Sequence, residues 1–376
     1  MTETQPEYLE EHTSDEPIRI MVVADPGFVG DKVCKIIDDN PNLVISAQVV
    51  DGVSAVSALR RQVIDAVVID IGHPQSQIKV TLTRMFRVDP QLKVLMVGSL
   101  NFSNVKTSMM GLMEGAAEFI ATPSAHTRKT EKSFVVRLVE LLLAFGRTTR
   151  EIEVQHAPLR RNLPMTRPVP RARRPISFQQ ASKYPPEILA FGSSTGGPQA
   201  LFTVLAMLPA DLKQPVFITQ HMPPTFTALL ASHINKHSAL VCAEGKDGEL
   251  VQPSRIYLAP GDYHMTVEDR SAGPTIILDQ KPPINFCRPA VDPLFISLAR
   301  VYGANILATI LTGMGKDGCI GGQAIVDAGG TVIAQDEESS VVWGMPGAAA
   351  EAGICSSILP LDDIASFINQ ALKKDW

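Results

Sequence analysis

Ile188-Leu189-Ala190-Phe191-Gly192-Ser193-Ser194-Thr195-Gly196-Gly197-Pro198 sets a short, wholly apolar run against a glycine-rich turn and a proline. A run of this length without polar alternation predicts a strand buried on both faces. Glycines permit the tight turn that follows, and Pro198 suits the first turn of a helix. A strand passing through a short turn into a helix opens a βαβ unit, and the sequence downstream repeats the pattern. Strands are expected at 188–192, 216–220, 256–259, 305–311 and 331–334, with helices at 198–207, 225–236, 292–302 and 318–328. Residues 183–376 therefore read as a doubly wound α/β domain with a parallel sheet.

The same alternation occupies the N-terminal half. Ile18-Arg-Ile-Met-Val-Val-Ala-Asp25 is β-branched and apolar, and further short apolar runs follow at 44–50, 66–70 and 93–99. Helical-period stretches such as 54–62 and 105–114 separate them, and a fifth strand near 118–121 and a helix over 131–145 complete an open sheet of five strands. Two doubly wound domains, 17–146 and 183–376, are thus expected.

Between them, residues 147–182 carry eight Arg, five Pro and two Glu with no apolar period, the composition of an extended linker. The basic run 167–174 lacks the aromatic interleaving of a nucleic-acid patch and reads as a solvated, self-repelling spacer. An acidic tail, 1–16, precedes the first domain with six acids and no Lys or Arg. Net charge is −5, so apart from that tail the chain is nearly neutral, with no general basic field to hold nucleic acid or anionic lipid. No apolar run approaches the ~18 residues of a membrane span, and no basic and then apolar leader opens the chain, so a cytoplasmic protein is expected. The five cysteines, Cys34, Cys242, Cys287, Cys319 and Cys355, are scattered without a CxxC pair and read as reduced packing thiols.

In an open parallel sheet, reactive groups collect beyond the carboxyl ends of the strands. Three segments put polar residues there. Gly192 to Gly196 fits G-x-S-x-G, the turn that lifts a serine hydroxyl above a sheet, but a Gly/Ser turn before a helix equally suits a phosphate cradle or a plain loop. Val216-Phe-Ile-Thr-Gln-His221 ends a strand in a histidine, which is either structural or the base an alcohol nucleophile needs. Thr312-Gly-Met-Gly-Lys-Asp317-Gly places a carboxylate where it would orient an imidazole or cap the next helix. The order Ser, His, Asp departs from the Ser, Asp, His of α/β-hydrolases, and the turn lacks the G-x-G-x-x-G of a dinucleotide site.

Taken together, Gly192-Ser-Ser-Thr-Gly-Gly-Pro, Thr219-Gln-His-Met-Pro, Leu258-Ala-Pro-Gly-Asp-Tyr-His264, Arg288-Pro-Ala-Val-Asp and Leu311-Thr-Gly-Met-Gly-Lys-Asp-Gly resemble the chemotaxis protein-glutamate methylesterase family, CheB. The resemblance covers both domains in order. It implies hydrolysis of glutamyl γ-methyl esters on the cytoplasmic helices of chemoreceptors with release of methanol, and deamidation of receptor glutamines. It further implies a triad of Ser194, His221 and Asp317, with Ser194 rather than Ser193 as nucleophile. Thr195 and Met314 match positions linked to the oxyanion site, His264 a residue at the cleft mouth, and Arg288 a substrate contact. No cofactor is implied for the hydrolysis. Cys287 stands where relatives often carry His, and Ala290 where they carry Ser.

The first domain resembles response-regulator receivers, which implies a phosphoacceptor at Asp70, with Pro74 four residues on, a Mg²⁺ ion held by Asp70 and Asp25, and a histidine kinase or other regulator as partner. The usual acidic pair reads Ala24-Asp25, the hydroxyl position reads Gly98, and the usual Lys-Pro reads Thr122-Pro123. Two readings of Asp70 stay open, a phosphoacceptor and a leftover loop carboxylate. The alternative function is a non-catalytic signalling adaptor that uses both domains as docking surfaces.

Overall fold

The computed structural model describes residues 16–72, 78–123, 128–156 and 176–373. The chain divides into two compact units, Met1–Leu100 with Phe119–Glu151 and Asn101–Glu118 with Ile152–Trp376.

Five parallel strands, β1 (Ile18–Val23), β2 (Leu43–Val49), β3 (Ala66–Asp70), β4 (Lys93–Gly98) and β5 (Glu118–Ala121), form one sheet in the order β2-β1-β3-β4-β5. Helices α1 (Phe28–Asp38), α2 (Gly52–Leu59), α3 (Ile78–Val88), α4 (Phe102–Met113) and α5 (Arg128–His156) alternate with them. This is the flavodoxin-like doubly wound order. Its core strands are buried nearly throughout, as Val67, Val68 and Leu95 illustrate, which is why they read as unbroken apolar runs. Asp51 caps α2 by accepting from the backbone N–H of Val53 and Ser54, both at 2.8 Å.

Helix α5 corrects one expectation. It continues to His156, so the first ten residues assigned to the linker are helical. Propagating an existing helix adds one hydrogen bond per residue, and Arg and Glu are good helix formers, so no apolar period is required. At the other end, Gln179 already donates its backbone N–H to Cys355 O (2.8 Å) and Ser182 its own to the Thr331 hydroxyl (2.8 Å). The basic run 167–174 and the acidic residues up to 15 lie outside the described residues, as does Pro74.

The second sheet has seven strands, β6 (Ile188–Ser193), β7 (Val216–Gln220), β8 (Val241–Glu244), β9 (Arg255–Leu258), β12 (Ile306–Ile310), β13 (Thr331–Gln335) and β14 (Ser357–Leu359), in the order β14-β13-β12-β6-β7-β9-β8. An antiparallel hairpin, β10 (His264–Arg270) with β11 (Gly273–Asp279), stands apart from it. The helices are α6 (Gly197–Ala206), α7 (Pro224–His237), α8 (Val291–Tyr302), α9 (Cys319–Asp327), α10 (Gly344–Glu351) and α11 (Leu361–Leu372). Phe217, Tyr257, Leu294, Phe295, Leu298 and Ile310 pack in a core under this sheet, all with no exposed surface. Burial pushes the thiols of Cys242 and Cys355 up to about 12, as befits packing groups. Among the described residues, no helix is long and apolar enough to cross a membrane.

One feature of this topology positions the site. The first strand of the unit, β6, lies between its successor β7 and the late strand β12, so the winding reverses direction at β6. Loops that leave β6 and β12 on opposite sides open a crevice at the carboxyl ends of the strands.

Candidate active site

The register between β6 and β7 pairs Ser193 with Gln220, so the next residues on the two strands, Ser194 and His221, leave the sheet side by side. A backbone bond from His221 N to Ser193 O (3.1 Å) holds the pair together. On the other side, Ile310 pairs with Gly192 and Ser194 N donates to Thr312 O (3.1 Å), which brings in the loop bearing Asp317. Thr312 fastens the three segments together. Its hydroxyl donates to Thr195 O (3.0 Å) and accepts from Val342 N (3.0 Å), while its backbone N–H donates to Gln335 Oε1 (2.8 Å).

The two adjacent serines differ in their commitments. Ser193 is fully buried and donates its hydroxyl to Gln220 Oε1 (2.6 Å), and Gln220 Nε2 donates in turn to Ser194 O (2.8 Å). Ser193 is thereby occupied in shaping the turn. Gly196, at φ +77°, takes the left-handed conformation that lets the chain swing from the strand into α6. Gly313 lies so close to Ser194 that a Cβ there would come within 2.8 Å of the serine Cβ and 2.9 Å of its N. Only glycine fits that contact.

His221 Nε2 lies 2.7 Å from Asp317 Oδ2. The carboxylate accepts, so in the neutral ring the proton sits on Nε2 and Nδ1 is the basic nitrogen. Burial alone would depress this imidazole, but the Asp317 hydrogen bond, the Cys287 thiol beside it and the Asp317 charge outweigh burial and hold it above its ordinary range. Asp317 is 2% exposed and saturated with donors: Val291 N (2.6 Å) on Oδ2, and Asp292 N and Gly318 N (each 3.0 Å) on Oδ1. Burial would raise its carboxyl, but the bond to His221, the imidazole's charge and these backbone N–H groups keep it low.

Four further residues singled out by sequence take these places. Thr195, next to Ser194 in the turn, is buried, and Met314 is half-buried on the loop from β12. His264 is 2% exposed, which corrects its expected place at the cleft mouth. Its Nδ1 accepts from Ala290 N (3.2 Å) and its Nε2 faces Pro282 O (3.2 Å), so the ring braces backbone on both sides. Arg288 is similarly engaged. Nε and Nη2 bond Asp262 Oδ1 at 3.1 and 2.5 Å, and Nη1 donates to Gln280 O and Lys281 O at 3.0 and 3.1 Å. That fork holds the segment leading into α8, with the Arg288 side chain 22% exposed.

Sequence reasoning missed several features here. Ile284 and Cys287 exchange backbone bonds at 3.0 and 2.8 Å around Asn285 and Phe286, both at positive φ, which leaves Phe286 fully exposed beside Cys287. No glycine marks this turn, so its sequence gave no signal. The pairing of Ser193 with Gln220 was equally silent, since the two residues are 27 positions apart.

In the first unit, Asp70 ends β3 and its Oδ1 accepts from Gly72 N (2.8 Å). Asp25 follows β1, the strand paired with β3. Ahead of it, Ala24 is buried and offers no oxygen where a second acid would stand. Among the described residues, no group of three or more His, Cys, Asp or Glu could hold a metal ion. The carboxylates that the resemblance assigns to Mg²⁺ are thus Asp25 and Asp70 alone, the number with which Mg²⁺, which keeps several waters, is commonly held.

Comparison with known proteins identifies the family. Residues 189–368 match the CheB methylesterase family. The protein-glutamate methylesterase/protein-glutamine glutaminase 1 of Rhodospirillum rubrum is 43% identical over 96% of this chain and 97% of its own. The crystal structure of the Thermotoga maritima CheB methylesterase catalytic domain is 39% identical, covers 50% of this chain and 98% of that one, and has a TM-score of 0.47. The response regulator domain of the same T. maritima protein is 26% identical over 35% of this chain and 98% of its own, with a TM-score of 0.30. With likeness to a full-length relative running from end to end, the chain belongs to the CheB methylesterase family.

Proposed function

We propose that this chain hydrolyses glutamyl γ-methyl esters on the cytoplasmic helices of chemoreceptors, and deamidates glutamines at the same sites, through Ser194, His221 and Asp317. The observation that carries the reading is the His221–Asp317 bond at 2.7 Å, set beside a serine whose neighbour, Ser193, is already committed to Gln220. Ser194 Oγ attacks the ester carbonyl while His221 Nδ1 takes its proton. Backbone N–H groups at Thr195 and Met314 meet the developing oxyanion, a role worth about 3 kcal/mol per donor. The intermediate collapses, the C–O bond to the methoxy group breaks, and His221 returns the proton to release methanol. Water, deprotonated by the same imidazole, then frees the glutamate carboxylate, and in deamidation the leaving group is ammonia. These side chains need no cofactor for the sequence of steps, and the cytoplasm is where such receptor segments are met.

Methanol release separates this reading from an adaptor. A methylated receptor fragment incubated with the chain is expected to yield methanol with turnover. Binding of the fragment without methanol would support the adaptor instead.

The imidazole makes a signed pH prediction. His221 must be neutral to act as base, and its pKa is raised, so kcat/KM is expected to climb with pH through an ionisation above the ordinary value of ~6.5. The same shift stabilises the fold below ~6.5 and is lost as pH rises through the folded value. A profile of kcat/KM with its acid limb at or below the ordinary imidazole value would contradict the assignment.

The first unit, in this reading, regulates without being an efficient phosphorylation switch. A phosphoryl group on Asp70 would find Gly98 in place of a hydroxyl, and Thr122-Pro123 in place of Lys-Pro. A small phosphodonor with Mg²⁺ is expected to label Asp70 poorly and to change the esterase rate little. Stoichiometric, stable labelling with a large rise in rate would overturn this. A histidine kinase or another binder of this unit remains the partner class proposed.

A further inference from the structure

Helices α8 and α9 each lack a side-chain cap of their own, with Ala290 and Gly318 at the N-cap positions. Each is capped by an acid belonging to the other's approach. Asp317, on the loop entering α9, accepts from Val291 N and Asp292 N at the start of α8. Asp292, in the first turn of α8, accepts on Oδ1 from Gly318 N (2.9 Å) and Gly321 N (2.7 Å) at the start of α9. The two carboxyls thus clamp the same pair of helix ends, and one of them is the partner of His221.

Capping uses only half of Asp292. Its residue is 3% exposed, and its Oδ2 is buried and receives no donor among the described residues; its side-chain neighbour is the Asp317 carboxylate, to which only a protonated Asp292 can donate. A buried carboxylate oxygen without a donor is costly to keep charged. Nothing in helix capping requires an acid here, since an amide oxygen would accept the same two N–H groups.

We infer that Asp292 is a positioning residue for the Asp317–His221 pair, clamping the backbone that carries Asp317 and, through its own charge, setting how tightly the imidazole holds its proton. The inference rests on the proposed Ser-His-Asp reading. Burial first, and then the neighbouring Asp317 charge, push the Asp292 carboxyl up to about 6. The ionisable groups facing it are Asp317 on the loop from β12 and Cys319 at the start of α9. His221 lies beyond Asp317, Lys316 acts on Cys319 from the same loop, and His264 on β10 bonds the residue just before α8. When Asp292 ionises, its negative charge favours the imidazolium of His221. When it is neutral, that support is withdrawn.

The test is Asp292→Asn in the full chain, with the pH dependence of kcat/KM and thermal stability measured together. The amide keeps both caps through its oxygen and removes the charge. The acid limb is expected to move toward lower pH by roughly half to one unit, with the melting temperature nearly unchanged. A profile that superimposes on the parent's would overturn the inference and leave Asp292 a cap. Should the variant fail to fold, the His221 ring signals of the unmodified chain can be titrated by NMR. They are expected to show, besides their own ionisation, an inflection from a carboxyl titrating above the ordinary carboxylate range. A single inflection would overturn the proposal. The NMR titration needs no turnover, so it reads the coupling of Asp292 to His221 separately from methanol release, and failure of one is distinguishable from failure of the other.

Discussion

Replacing Ser194 by Ala is expected to lower ester hydrolysis by several orders of magnitude, leaving only the residual rate that oxyanion donors and binding supply. Ser193→Ala is expected to keep most of the rate, although the two hydroxyls are neighbours in sequence. The reason is the direction each takes. Ser193 lies within the last residues of β6, fully buried, and donates its hydroxyl hydrogen bond to Gln220 Oε1 at 2.6 Å. Losing that bond costs about 1 kcal/mol of stability, a folding effect that raises no barrier to attack. Ser194 leaves the sheet beside His221. Comparable losses in both variants, measured as kcat/KM on folded protein, would show that the two serines had been wrongly distinguished.

Asp317→Asn is expected to be nearly as damaging, for a reason visible in the bonds around the carboxylate. Its amide oxygen can keep the N–H groups of Asp292 and Gly318, but its NH2 would then face His221 Nε2, where Oδ2 now accepts. The ring would have to accept at Nε2 and carry its proton on Nδ1, the nitrogen that must act as base. A tautomer reversed in this way elsewhere drops turnover by about ten-thousand-fold. Val291 N would lose its acceptor as well, which adds about 1 kcal/mol of helix-capping loss. Rates and melting curves on one preparation tell the two roles apart. If stability collapses while the folded fraction turns over normally, Asp317 is a cap and nothing more.

What the sequence disclosed depended on how local each signal was. Strands 188–193, 216–220 and 306–310 were legible to within a residue or two because both of their faces are buried, so they are mostly apolar, with Thr219 and Thr309 the polar residues inside them. The short outer strands Val241–Glu244 and Ser357–Leu359 were not, since partly exposed edges carry mixed residues. The helix to His156 escaped notice because its last stretch is charged and has no apolar period. In the site, the places of Ser194, His221 and Asp317 were legible because each lies just beyond a strand or ahead of a helix and carries a distinctive chemistry. The places of Arg288 and His264 were not. Both bond backbone carbonyls or amides that only the fold brings near, and a sequence motif does not say whether a charged or aromatic polar group faces substrate or braces the chain. Asp292 lies within the Arg288-Pro-Ala-Val-Asp motif, yet its link to Asp317 depends on two helix ends meeting.

The central claim is an acyl transfer, in which the bond broken lies between the glutamyl carbonyl carbon and the methoxy oxygen. It is tested most directly by incubating a methylated receptor fragment with the chain in water carrying heavy oxygen and analysing both products by mass spectrometry. The account predicts one heavy oxygen in each newly formed glutamate carboxylate and methanol free of the label. Label appearing in the methanol, or no methanol at all, would contradict it.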